Sequence, residues 1–197
     1  FPVMQWALQR YLSEECGRQV LAVVGDSDSL VERLADLPPE SILITELGLP
    51  GQRSRDGIHL VEWLTRHCPQ MKVMVYSVFS APLLAKAVLR SGASAYISKR
   101  SPLETLKAAL ECMALGQTFL DPGLHPQRHT GKPLSPTEVD ILRRLARGDT
   151  VSEIAQRTMR SVSTISTHKK NAMVKIGLNS DAELIALGVM NWLHELA

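Results

Sequence analysis

No apolar run in this chain approaches the ~20 residues a helix needs to cross a bilayer, and no signal-peptide pattern stands at its start. Nothing in it reads as a membrane span. Cysteine is scarce: Cys16, Cys68 and Cys112 are isolated and lack CxxC spacing, which argues against a disulfide scaffold or a cysteine zinc site and suits reduced thiols in a cytosol. Internal repeats and low-complexity tracts are absent too. Charge of one sign is missing overall, with 22 Lys and Arg against 20 Asp and Glu, so no global field marks a partner. A local absence says more: between Ser161 and Gly177 there are three lysines and no acid.

What is present is ordinary for a soluble globular protein, 45% hydrophobic and 21% charged, and 197 residues suit two small domains. The stretch Ser161–Gly177, SVSTISTHKKNAMVKIG, opens on a serine suited to cap a helix and closes on a glycine suited to the left-handed position after one. On a helical wheel Val162, Ile165, Ala172, Met173 and Ile176 gather on one side, and Ser163, Thr167, Lys170, Asn171 and Val174 on the other. One face buries and the other offers hydrogen-bonding groups. Before it, Ser135-Pro-Thr-Glu138 is a capping box with Pro136 at the first helical position, followed by Val139, Leu142, Leu145 and Ala146 at helical spacing up to Gly148. Thr150-Val-Ser-Glu153 is a second box, opening a short helix around Ile154 and Ala155, and Ser180-Asp-Ala-Glu183 is a third. The short helix opened at Thr150 and the basic helix opened at Ser161, joined by a tight turn through Arg157-Thr-Met-Arg160, predict a helix-turn-helix.

The run LSPTEVDILRRLARGDTVSEIAQR followed by STISTHKKNAMVKIGL resembles the C-terminal DNA-binding domain of the LuxR and NarL/FixJ type, through Glu138, Gly148, Ile154-Ala155, Thr164-Ile165, His168, Lys175 and Gly177. The resemblance implies a four-helix domain bound to double-stranded DNA. From His125 onward ten Lys or Arg stand against seven Asp or Glu, while the earlier part has twelve against thirteen. The acid-free helix, rather than the net charge, is what favours phosphate. The wheel and the resemblance together predict Thr167 and Lys170 at base edges. Ser166 rests more on the resemblance, and Asn171 is a reserve. Thr164, Lys169 and Lys175 are expected near phosphates, Lys169 by snorkelling from the apolar side.

The first part alternates helix and strand. Met4, Ala7, Leu8, Tyr11 and Leu12 predict an opening helix, Val20–Val24 a short strand ending at Gly25, Asp26–Asp36 a helix and Ile42–Thr45 a strand. Helix Ile58–His67, strand Val73–Tyr76, helix Pro82–Ser91, strand Ala95–Ile97 and helix Pro102–Leu115 continue the pattern. Near-continuous apolar strands between helices predict a parallel sheet covered on both faces, with chemistry at the carboxyl ends of the strands, where Glu46, Ser77 and Lys99 fall.

Glu46-Leu-Gly-Leu-Pro50-Gly51, Ser77 and Tyr96-Ile-Ser-Lys99 resemble the receiver domain of bacterial response regulators, and the stretch around Asp56-Gly57 is especially similar to RcsB-like regulators of the NarL group. The resemblance implies a flavodoxin-like α/β fold of sheet order 2-1-3-4-5, with Ser77 and Tyr96 as switch residues and Lys99 as the lysine of the site. At the position of the phosphorylatable aspartate this chain has Glu46. The family's central first strand, whose end carries the acidic pair for Mg²⁺, has no counterpart here, and upstream residues outside the chain are expected to supply it. No cofactor or metal is expected.

Domains are expected at 1–122 (receiver-like) and 134–197 (helix-turn-helix), joined by a linker over 123–133. The linker, GLHPQRHTGKP, has prolines and glycines that argue against a helix, so His125 and His129 read as solvent-exposed rather than metal-binding. Two rival functions weigh less. Gly25-Asp26-Ser27 matches three residues of the GDSL hydrolases, but Asp26–Ser29 more simply caps a helix and no paired aspartate precedes His194. A DNA-free adapter is the second: the broad apolar surface of the last helix suits a partner, and in the family it is the homodimer contact, for which Val189, Trp192 and Leu193 are the expected residues. The reading is a cytoplasmic, non-enzymatic, phosphorylation-independent transcriptional regulator that binds double-stranded DNA as a homodimer. Heterodimerisation with another regulator, or control by phosphorelay, is the alternative.

Overall fold

The computed structural model describes residues 2–48, 57–124 and 134–189, of which 186–189 by backbone alone. The expected linker beyond Leu124, the loop from Pro50-Gly51 to Asp56, and Trp192 and Leu193 lie outside the described residues. The elements run α1 (Pro2–Glu14), α2 (Ser27–Arg33) with a 3-10 turn (Leu34–Asp36), β1 (Ile42–Thr45), α3 (Gly57–His67), β2 (Lys72–Ser77), α4 (Pro82–Arg90), β3 (Ala95–Ser98), α5 (Leu103–Ala114) and β4 (Phe119–Leu120). Four helices follow: α6 (Pro136–Ala146), α7 (Val151–Arg157), α8 (Val162–Ile176) and α9 (Asp181–Val189). The chain divides into two units, residues 1–77 with 88–121 and residues 78–87 with 122–197.

The first unit is a parallel sheet of order β1-β2-β3-β4, in register Ile44↔Met74, Met74↔Ala95 and Ala95↔Phe119. Side chains alternate across a strand, so this register puts Ile42, Ile44, Met74, Tyr76, Ala95 and Ile97 on one face. There they meet Leu106, Ala109, Leu110 and Met113 of α5 and Met4, Leu8, Tyr11 and Leu12 of α1. Lys72 leaves that face and donates from Nζ at 2.6 Å to the Met113 carbonyl, which also accepts from Gly116 N at 3.0 Å, placing a cation at the negative end of α5. Gly92 must stay glycine: its φ is +103°, and a Cβ there would lie 2.8 Å from Thr65 Cγ2.

Three expectations need correction. Val20–Val24 forms no strand; the run has no regular secondary structure, with Leu21 49% and Val23 46% exposed. In the 2-1-3-4-5 order its ladder partner is the central first strand, and no described segment fills that place, so its backbone has nothing to zip to. A cavity of about 470 Å³ lies between this run and β1, lined also by Leu8, Leu12 and Leu30. The predicted helix Asp26–Asp36 ends at Arg33 and tightens into the 3-10 turn. Finally, β4 went unpredicted because two residues carry no periodicity; only pairing with Ala95 and Tyr96 makes Phe119 and Leu120 a strand.

The C-terminal helices start where the capping boxes predict. Ser135 Oγ accepts from Glu138 N at 3.3 Å while Glu138 Oε2 accepts from Ser135 N at 2.7 Å. Thr150 and Glu153 repeat the exchange at 3.2 and 2.7 Å. In the third box Ser180 Oγ accepts from Glu183 N, but the Glu183 carboxylate accepts from Asn179 N at 2.6 Å and from Ser80 N at 2.9 Å. The small core is Ile141, Ile154, Ala155 and Ile165, and Gly177 closes α8 in the left-handed conformation at φ 73°. Ile165, Ala172, Met173 and Ile176 are buried as the wheel predicts, whereas Val162 is 51% exposed. The wheel treats every turn alike, and the packing of α8 begins only at Ile165.

Glu138 ties α6 to α8: its Oε2 lies 2.7 Å from Lys175 Nζ while the residue is only 4% exposed. Burial opposes its charge, but the hydrogen bonds from Lys175 and Ser135 and the Lys175 charge outweigh that, holding the carboxyl below its usual value. A carboxyl lowered on folding stabilises fully above its unfolded pKa, and that contribution is lost as pH falls through the lower folded value. The melting temperature of the C-terminal unit should therefore drop as pH falls through and below the ordinary carboxylate range. In Glu138→Gln, scanning calorimetry should show a less stable protein at neutral pH with a flatter acid slope; an unchanged slope would mean that other groups control acid unfolding.

Candidate functional site

Two groups of side chains stand apart from the cores. The first lies at the carboxyl end of the sheet. Glu46 follows β1 directly and is anchored by its own turn, Oε1 accepting from Leu47 N at 2.9 Å. Its Oε2 lies 2.5 Å from Lys99 Nζ. A charge-assisted pair this short, with side chains 14% (Lys99) and 21% (Glu46) exposed, commits one of the three ammonium N–H donors and balances the charge that the lysine would offer an incoming anion. The Lys99 ammonium also stands 5.8 Å from the Tyr76 ring centroid, a cation–π distance. Burial, and secondarily the nearby Glu46 charge, push the Tyr76 phenol above its usual pKa, so it stays protonated.

The loop carrying Lys99 is pinned from both sides. Lys99 N donates to the Ser77 carbonyl at 2.7 Å, extending the β2–β3 ladder past Ser98. Asp121, buried just after β4, accepts from Ser98 N at 2.9 Å and from Ser101 Oγ at 2.5 Å. Ser77 and Tyr96 are fully buried. Glu46 and Lys99 meet at the carboxyl end of the sheet, Ser77 is tied to Lys99 through its carbonyl, and Tyr96, paired with Val75, stands on β3 two ladder positions before the level of Ser77. Tyr76 and Asp121 were missed. Asp121 had no local signal because the strand before it is too short to read; Tyr76 looked like one more apolar strand residue. Ser27 is fully buried at the start of α2, where Asp26 caps the helix by accepting from Ser29 N at 2.7 Å. Among the described residues no three His, Cys, Asp or Glu side chains gather in a way that could hold a metal ion.

The second group is the outer face of α8. Ser161 caps it, accepting from Thr164 N at 3.0 Å and sharing a 2.8 Å hydrogen bond with Thr164 Oγ1. Ser163, Ser166, Thr167, Lys170 and Asn171 are exposed or half-buried along one stripe at helical spacing. Thr167 Oγ1 donates back to the Ser163 carbonyl at 2.9 Å, which leaves its oxygen lone pairs outward. Lys170 has no ion pair among the described residues. Lys169 and Lys175 differ from what the wheel suggests: Lys169 Nζ lies 2.6 Å from Asp181 Oδ2, at the start of α9, and Lys175 is the partner of Glu138. Both ammonium groups are matched inside the domain, by acids 12 and 37 residues away that no local pattern reveals. Such a stripe of hydroxyls, an amide and an ammonium offers the kinds of donor and acceptor that base edges in a major groove can pair with. Val189 lies on α9, of which only the backbone is described there.

Residues 132–187 match the family model described as bacterial regulatory proteins, luxR family, and residues 1–111 that of the response regulator receiver domain. Transcriptional regulatory protein RcsB of Escherichia coli (strain K12) is 30% identical over 191 residues, covering 93% of this chain and 88% of that protein. A solved structure of two RcsB dimers bound to two parallel DNAs is similar with a TM-score of 0.75 at 30% identity, covering 100% of this chain and 95% of that one. RcsB from Salmonella enterica serovar Typhimurium, bound to the rprA promoter with the phosphomimetic BeF3−, gives 0.72 at 29% identity over 100% and 95%.

Proposed function

The chain belongs to the bacterial response regulators with a luxR-type DNA-binding domain and is a DNA-binding transcriptional regulator of that kind, and from this we propose that Glu46 makes it independent of phosphorylation. The observation that carries the proposal is the Glu46–Lys99 pair at 2.5 Å. In the family an aspartate takes a phosphoryl group, and lysine and Ser/Thr then grip its oxygens. Glu46 sets its carboxylate one methylene further out, and a displacement of about 1 Å in a positioned reaction costs on the order of a hundredfold. The same carboxylate already occupies Lys99, so a negative charge sits where phosphate oxygens would otherwise be held. The receiver then rests in one signalling state, and control passes to a partner or to expression level. Incubation with a small phosphodonor and Mg²⁺ should leave the intact mass and the DNA affinity unchanged. A stable added phosphate with a several-fold gain in affinity sinks the proposal.

DNA contact is assigned to α8, with Thr167 and Lys170 at base edges, Ser166 and Asn171 beside them, and Thr164, Lys169 and Lys175 on the phosphate side. For Lys169 and Lys175 that role is shared with their acids, so each adds less than a free ammonium. Lys170→Ala should cost about 1–3 kcal/mol on the preferred duplex and relax its sequence preference, while Lys169→Ala weakens all duplexes alike. Equal losses on preferred and random duplex for Lys170→Ala would remove it from base readout.

The working form is a two-fold dimer on paired half-sites, since a single short recognition helix makes few base contacts. RcsB dimers bound to DNA support this reading, with Val189, Trp192 and Leu193 as the expected contact. The receiver-like domain spans 1–122, the linker 123–133 and the DNA-binding domain 134–197. The protein has no enzymatic role. A chromosomal target places its action in the cytoplasm, in keeping with three free cysteines and with the absence, among the described residues, of a helix able to cross a membrane. Light scattering of the full chain with duplex should give two chains per duplex. One chain per duplex excludes the dimer, and two only when a second regulator is added identifies a heterodimer instead.

A further inference from the structure

The turn between α7 and α8 holds an unexplained conformation. Met159 has φ 51°, the only positive φ of a non-glycine residue among the described residues, and it is 95% exposed, more than any other large apolar side chain described. The turn is closed by Met159 N donating to Gln156 O at 3.3 Å and Arg160 N to Ala155 O at 3.0 Å. This is the helix-ending arrangement in which the left-handed position belongs by preference to Gly or Asn. A methionine is unfavourable there twice, by strain at its backbone and by an apolar side chain left in water. Two such costs at one exposed position point to a contact made only in the bound state.

The location says with what. Met159 is two residues before Ser161, the cap of α8, and Val162, also 51% exposed, opens the helix. Together they form an apolar tip at the amino-terminal end of the stripe Ser163, Ser166, Thr167 and Lys170. A recognition helix enters the major groove with that end leading, and the apolar feature that the groove displays is the C5-methyl of thymine. Resting on the assignment of α8 to DNA, we infer that Met159, flanked by Val162, is a specificity-determining residue that packs on a thymine methyl group at the edge of each half-site. The left-handed turn aims the side chain outward into the groove, and the flexible thioether adapts to the methyl surface.

Uracil in place of thymine removes only the methyl group, so the contact can be tested on whichever duplex the protein selects. The probe is the duplex most enriched by the wild-type full chain from a randomised pool, with each thymine replaced in turn by uracil. Wild type should lose about two- to fivefold in affinity at a thymine in each half-site. Met159→Asn relieves the strain, so its melting temperature should rise by about 2–6 °C. Its affinity for the unmodified duplex should fall about three- to tenfold, with no remaining response to uracil at that thymine. Met159→Leu, which keeps the apolar surface, should retain the wild-type uracil profile. Unchanged affinity in Met159→Asn, or weaker binding with the full uracil profile preserved, overturns the inference. A wild-type chain that enriches no duplex overturns the DNA assignment itself, and this contact with it.

Discussion

A carboxylate withdrawn from water has to be met by cations or N–H donors, and the architecture of this chain turns on four that are. Glu46 is held by Lys99 and its own turn, Asp121 by the loop that carries Lys99, Glu138 by Lys175 and the cap of α6, and Glu183 by Asn179 N and Ser80 N. None is an isolated surface pair. Each fastens a loop or a helix start to a segment distant in sequence, so the acids do for the polar framework what Met74 and Ile141 do for the apolar cores. Deleting one partner would strand a charge, a larger loss than the modest net gain from making the pair.

The same constraint sets the character of the outer face of α8. With Lys169 matched by Asp181 and Lys175 by Glu138, Lys170 is the lysine of α8 without an ion pair among the described residues. The exposed face of α8 is otherwise short side chains on a rigid helix, whose positions are fixed by Ile165, Ala172, Met173 and Ile176 beneath them and whose rotamers have little freedom to lose.

Legibility in the sequence followed the range of the interactions. The starts of α6 and α7 were readable because a capping box closes within four residues, that of α8 because Ser161 caps it, and the buried face of α8 because its spacing is local. Strands β1 to β3 announced themselves as apolar runs, and Glu46 and Lys99 as residues just past their ends. What failed was whatever depends on a distant partner. Val20–Val24 has the composition of a strand but no ladder to join among the described residues, and β4 is a strand by pairing alone. Lys169 and Lys175 looked free because their acids come from other helices. Val162 misled for a related reason: an apolar residue at helical spacing is buried only where a neighbour exists to cover it.

The in-order arrangement of the sheet has a kinetic side. Because β1 pairs with β2, β2 with β3 and β3 with β4, each of these ladders closes over one crossover of roughly 20 to 30 residues, and among the described strands none waits for a partner from the far end of the chain. Chain closure entropy is met in small, equal instalments, so the sheet can grow strand by strand from a nucleus around β2 and β3, where the apolar cluster with α5 is densest. A strand inserted between Val20–Val24 and β1 would alter this, since it would have to find both neighbours at once and would become the last and slowest piece to dock.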